Sequence, residues 1–124
     1  MFTIKKQLLL ILLILSSTNA LAKAQTYIFV SFSMPDTALK SYFIEAEQAS
    51  AILVMRGLKN NSFLQTKAKA DELAISFNID PNLFEQYQIT SVPVIIVDNG
   101  QGRVKKLTGH IALMKAIELM EQEN

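Results

Sequence analysis

Asn78-Ile79-Asp80-Pro81-Asn82-Leu83-Phe84-Glu85-Gln86-Tyr87-Gln88-Ile89-Thr90-Ser91-Val92-Pro93-Val94 is the stretch whose reading decides the fold. Asp80 has a short side chain that can accept a backbone N–H from the first turn of a helix. Pro81 suits the first helical position, where its missing N–H costs nothing. The helix so started carries Leu83, Phe84 and Tyr87. It runs into Val92-Pro93, and residues 94–97 (VIIV) then read as a buried strand.

Toward the C-terminus, Asn99-Gly100-Gln101-Gly102 is a turn whose glycines supply positive φ. Residues 103–107 return as the second arm of a hairpin, and Gly109 breaks that strand. A closing helix is predicted over residues 111–122, with Leu113, Ala116, Ile117 and Met120 facing inward.

Toward the N-terminus, Ile75, Phe77 and Ile79 alternate with Ser76 and Asn78, which predicts a short strand over residues 75–79. Before it, Ser62 can cap a helix running to about Leu73, with Phe63, Thr66, Ala70 and Leu73 inward. Residues 51–55 (AILVM) are a buried strand stopped by Arg56-Gly57. Leu39, Tyr42, Phe43, Ala46 and Ala49 recur at helical spacing, and residues 27–32 (YIFVSF) suit a central strand covered on both faces. The order is β-α-β-α-β-α-β-β-α, which implies an α/β domain: a mixed, mostly parallel sheet with helices on both faces.

The first residues read differently. Lys5 and Lys6 precede an uninterrupted apolar run over residues 8–15, and the chain then turns small and polar. That is the layout of a signal peptide over residues 1–22, followed by one domain over residues 23–124. The apolar run is far shorter than the roughly 20 residues a membrane-crossing helix needs. Small residues place cleavage after Ala22 or after Ala24; retention as an anchor is the alternative. The expected compartment is the periplasm.

Removing residues 1–22 takes the formal net charge from +1 to −1. No basic stripe is present that would neutralise phosphates, so nucleic acid is not an expected partner. There is no cysteine and a single histidine, His110. Thiol chemistry and thiolate metal sites are thereby excluded, and one histidine cannot build a metal site. Stability has to come from an apolar core. No cofactor, metal or small-molecule substrate is expected.

The segment from Asn78 to Val94 resembles the second half of a thioredoxin domain, where a short aromatic-bearing helix leads into a Val-Pro dipeptide with a cis proline. The resemblance implies a cis Val92–Pro93 bond; a cis X–Pro bond costs only about 0.5–1 kcal/mol over trans, so a fold can keep one. The alternative is an ordinary trans proline before an edge strand. Thioredoxins carry Cys-x-x-Cys at the start of the first helix. Here Ser33-Met34-Pro35-Asp36 stands in that place. These four residues read as a cap: Ser33 at the N-cap, Pro35 in the first turn and Asp36 completing a capping box. Catalysis by Ser33 would need an adjacent base, and nothing in the sequence brings His110 to it.

Val30-Ser31-Phe32-Ser33-Met34-Pro35, Leu53-Val54-Met55-Arg56-Gly57-Leu58, the Ile79–Phe84 block, Val92-Pro93-Val94 and Gly109-His110-Ile111 with Leu113 are similar, in order and spacing, to the TrbC family of F-type conjugative systems. Some members of that family carry an additional N-terminal region that has no counterpart in these 124 residues. The resemblance implies a periplasmic, non-enzymatic assembly factor for the conjugative pilus of a type IV secretion system, with other pilus-assembly proteins as partners and no catalytic residues. On thioredoxin geometry, the partner-binding candidates are Ser33, Met34, Pro35, Arg56, Val92 and Pro93. A peptide would pair there by strand addition, with Met34 either adding an apolar contact or buried against the last helix, and Arg56 either a contact or a surface charge. Two readings stand beside this one: a general periplasmic chaperone or isomerase-like factor using the same groove, and an enzyme reacting through Ser33 or His110.

Overall fold

In a computed structural model, residues 24–122 are described; the leader expected over residues 1–22 lies outside them. Five strands, β1 (Gln25–Val30), β2 (Ile52–Met55), β3 (Asn78–Ile79), β4 (Val94–Asp98) and β5 (Val104–Thr108), form one sheet in the order β3-β2-β1-β4-β5. Four α-helices join them: α1 (Asp36–Ala49), α2 (Phe63–Leu73), α3 (Pro81–Gln86) and α4 (Leu113–Glu121). β1 pairs parallel with β2 and β2 with β3, whereas β1–β4 and β4–β5 are antiparallel. The sheet is mixed, as predicted. Among the described residues no helix is long and apolar enough to cross a membrane.

The period-2 alternation of a strand divides the core in two. Ile28 and Val30 of β1, Leu53 and Met55 of β2 and Ile95 of β4 point to one face, where Leu39, Tyr42 and Ala46 of α1 and Leu113, Ala116 and Met120 of α4 cover them. Phe29, Val54, Val94 and Ile96 point to the other face, covered by Phe84 of α3 and Ile89. Phe29 and Phe84 meet edge-to-face with ring centroids 4.9 Å apart. Helices therefore lie on both faces, and β1 is buried between them.

Two predicted caps form. Ser62 Oγ accepts the Gln65 N–H at 3.1 Å, and Asp80 Oδ1 accepts the Leu83 N–H at 3.1 Å. The Ser33 cap does not. A turn closed by the Met34 N–H on the Ser31 carbonyl (3.1 Å) intervenes, and Ser33 Oγ lies 2.8 Å from Ser31 Oγ. α1 starts only at Asp36, with Pro35 as N-cap and no side-chain cap. Asp36 instead pairs with Lys69 of α2 at 3.2 Å.

Two further expectations change. The strand predicted over residues 75–79 shrinks to β3, because Ala74 ends α2 in the left-handed region (φ 52°) and Ile75 turns straight down into the core. Phe63, predicted inward, is 70% exposed. The turn Lys59–Asn61, with Asn60 and Asn61 both at positive φ, lifts the first residues of α2 off the sheet.

Candidate functional site

The C-terminal ends of parallel strands are where loops of an α/β sheet leave room for ligands. Here a groove of about 550 Å³ opens at the ends of β1 and β2. Its walls are three loops: Ser31 to Ser33 after β1, Arg56 to Asn60 after β2, and Ile89 to Val92 before β4, with Phe84 on its floor. The Val92–Pro93 bond is cis, as the resemblance implied.

Three of the six predicted residues meet at this groove: Ser33, Arg56 and Val92. The other three do not line it. Met34 is 7% exposed and packs with the core that includes Leu113, Ala116 and Met120, so it is not available as a surface contact. The turn at Ser31–Met34 brings its side chain into that core. Pro93 is fully buried, and its carbonyl accepts the Gly109 N–H at 3.0 Å. Pro35 is exposed at the start of α1, outside the groove. His110 sits beside Tyr42, with ring centroids 6.4 Å apart, and does not line the groove that Ser33 lines.

Each wall is held by specific bonds. Thr66 of α2 is the buried polar residue that fixes the second loop: its Oγ1 donates to the Ser62 carbonyl at 2.7 Å and accepts the Lys59 N–H at 2.8 Å. The Asp80 N–H donates to the Met55 carbonyl at 2.9 Å, tying the end of β2 to the start of α3. Ile89, the first residue of the third loop, donates its N–H to the Phe84 carbonyl at 2.8 Å. On the first wall, Phe32 meets Phe77 edge-on at 5.5 Å.

Two features give the groove binding capacity. Among the described residues, no hydrogen bond occupies the N–H or the C=O of Val92. The Arg56 guanidinium lies over the Phe84 ring, 5.7 Å from its centroid, which orients a cation at the rim. Lys59, a second rim cation, was not singled out from the sequence; the rule that loops after parallel strands line ligand grooves would have found it.

Away from the groove, hydrogen bonds to Asp36 and then Glu72 hold the Lys69 ammonium above lysine's usual range. On the α3 face, Tyr87 donates its hydroxyl to Asp98 Oδ2 at 2.7 Å. Burial first, then that bond, pushes the Tyr87 phenol well up; the same bond, then the Gly100 N–H, pushes the Asp98 carboxyl down.

Comparison with known proteins agrees with this geometry. In fold, the chain superposes on the pneumococcal exposed lipoprotein thioredoxin of Streptococcus pneumoniae with a TM-score of 0.62 at 17% identity, covering 85% of this chain and 88% of that one. A thiol-disulfide isomerase from Corynebacterium glutamicum gives 0.60 at 15% identity over 86% and 83%, and StoA from Bacillus subtilis 0.58 at 17% over 84% of each. The fold is thioredoxin-like. Periplasmic protein TrbC of Escherichia coli (strain K12) is 35% identical over 96 residues, 73% of this chain and 44% of that protein, so the chain spans less than half the length of that relative. The profile of type-F conjugative transfer system pilin assembly proteins matches residues 28–119, from β1 into α4, and the chain belongs to that family, the TrbC family.

Proposed function

We propose that this protein is a periplasmic, non-enzymatic assembly factor for the conjugative pilus of an F-type type IV secretion system, exported by residues 1–22. It acts by holding an extended segment of another pilus-assembly protein in the groove between Ser33, Arg56 and Val92. The observation that carries this reading is the backbone of Val92, a residue lining the open groove, whose N–H and C=O carry no partner among the described residues. An extended chain laid there can exchange main-chain hydrogen bonds with it, the physics of strand addition. Family membership supplies the pilus, and the name of the Escherichia coli relative supplies the compartment.

A pair of substitutions at the exposed Ser33 tests the reading. In cells lacking the native gene, Ser33→Ala should restore pilus production fully, because the hydroxyl performs no chemistry. Ser33→Trp should fill the mouth of the groove and cut pilus production at least tenfold while the protein remains folded and exported. Wild-type pili with Ser33→Trp would overturn the docking mechanism. Loss of pili with Ser33→Ala would instead favour an enzyme. Crosslinking from the periplasm of piliated cells should recover other conjugation proteins; a broad spread of unfolded clients would favour a general chaperone.

A further inference from the structure

The side chains at the groove have an unbalanced charge. Arg56 and Lys59 are its two charged residues, both cationic, and no carboxylate lines it. Neither cation forms an ion pair among the described residues, although the chain as a whole is close to neutral. The nearby carboxylate of Asp80 is turned inward onto the Leu83 N–H. Arg56 is held over Phe84 and so points from a fixed base. The rim is also apolar: Leu58, in the same wall, is 37% exposed, and the loop continues into Phe63 and Leu64, at 70% and 78% exposure.

We infer that the groove selects an extended polypeptide segment carrying carboxylate side chains among apolar ones, with Arg56 and Lys59 as the charge partners. This rests on the docking mechanism proposed above and adds its chemical specificity. A peptide answers every feature at once: backbone groups for Val92, an apolar side chain for Leu58, and carboxylates for the two cations. An anionic membrane surface would answer the cations and Phe63–Leu64, yet a bilayer cannot enter a concave groove to pair with the Val92 amide. Rim charges of this kind set partner choice and association rate more than total affinity.

The test uses the protein recovered from the periplasm, labelled with ¹⁵N, and three synthetic peptides about nine residues long. Each alternates valine and serine, with glutamate, glutamine or lysine at two central positions. The glutamate peptide should shift the amide resonances of Val92, Arg56 and Lys59, and bind about tenfold more tightly than the glutamine peptide, the sum of two exposed charge pairs. That advantage should vanish in roughly 0.5 M salt. The double substitution Arg56→Glu with Lys59→Glu should reverse the order and favour the lysine peptide. Equal binding of all three peptides at Val92 would overturn the acidic preference and leave the docking mechanism standing. No shift at Val92 with any peptide would overturn both. Co-sedimentation of the protein with phosphatidylglycerol vesicles, lost in a Phe63→Ser, Leu64→Ser variant, would assign the surface to a membrane and overturn the inference.

Discussion

Glu45, in the third turn of α1, accepts the backbone N–H of Leu113, the first residue of α4, at 3.1 Å. One helix thus caps another across 68 residues of sequence. α4 needs it, because Ala112 stands at its N-cap and offers no side-chain acceptor. Glu45→Ala should cost about 1 kcal/mol, the usual worth of an N-cap. Glu45→Gln should cost less, since its amide oxygen still accepts. Urea denaturation gives the magnitude, and amide exchange should quicken at the start of α4 before it does in α1.

Tyr87→Phe should lower stability by about 1 kcal/mol at neutral pH, a charge-assisted bond discounted for partial exposure. Asp98's folded-state pKa is lowered, so its contribution is present above about pH 4, the unfolded value, and is lost as pH falls through the folded value. Tyr87's is raised, so its contribution is present below about pH 10 and is lost as pH rises beyond it. The gap between wild type and Tyr87→Phe should therefore be flat across that window and close outside it. A gap that persists unchanged at pH 2 would refute the pairing.

Ala74→Gly should stabilise the protein by about 0.5–1 kcal/mol. Ala74 is exposed and held at φ 52°, a left-handed conformation that costs an L-residue roughly 1–2 kcal/mol and glycine little. Thermal melts of the two proteins decide it, and an unchanged or lower midpoint would count against the left-handed cap.

Met34→Ala should destabilise by about 2–4 kcal/mol, the range for emptying a buried methionine site. Met34→Asp should fail to fold, so any loss of pili in that variant reports on the core and says nothing of docking. The comparison that matters is with Ser33, its exposed neighbour.

Thr66→Val removes the hydroxyl that joins Lys59 to Ser62 and leaves the half-buried Lys59 N–H without its acceptor. A loss of about 1–2 kcal/mol is expected. Its signature should be local: faster amide exchange over residues 59–62, with β1 and β4 unchanged.

Where the sequence was a good guide, the signal was local and short. Asp80-Pro81 and Ser62 start helices by their own side-chain chemistry, and both do so in the structure. The unbroken apolar runs of β1 and β4 were read correctly, because both faces of each strand are buried. Where it misled, a tertiary effect took over. Ser33 and Asp36 have capping-box spacing, but the turn at Ser31–Met34 buries Met34 and displaces the N-cap by two residues, from Ser33 to Pro35. The alternation of Ile75 and Phe77 reflects a loop dropping side chains onto the core, with too few ladder bonds to be a strand. Phe63 has the right helical phase for burial, yet phase fixes a direction on the helix and not whether the sheet lies under that turn. Of the site, the Ser33, Arg56 and Val92 loops were legible through the resemblance to thioredoxin geometry. Lys59 was within reach of the rule for loops after parallel strands, whereas the exposed Phe63–Leu64 pair required the path of the Lys59–Asn61 turn, which no periodicity encodes.

The two edges of the sheet are unequal and neither is inviting. β3 is two residues long, and β5, the other edge, carries Lys105 and Lys106 at its centre. Short or lysine-bearing edges are how sheet proteins discourage open-ended self-association. On the docking mechanism proposed above, a protein that accepts a strand is at particular risk of accepting its own. On that mechanism, the brevity of β3 and the lysines of β5 would let it stay receptive to a guest while discouraging pairing between its own copies.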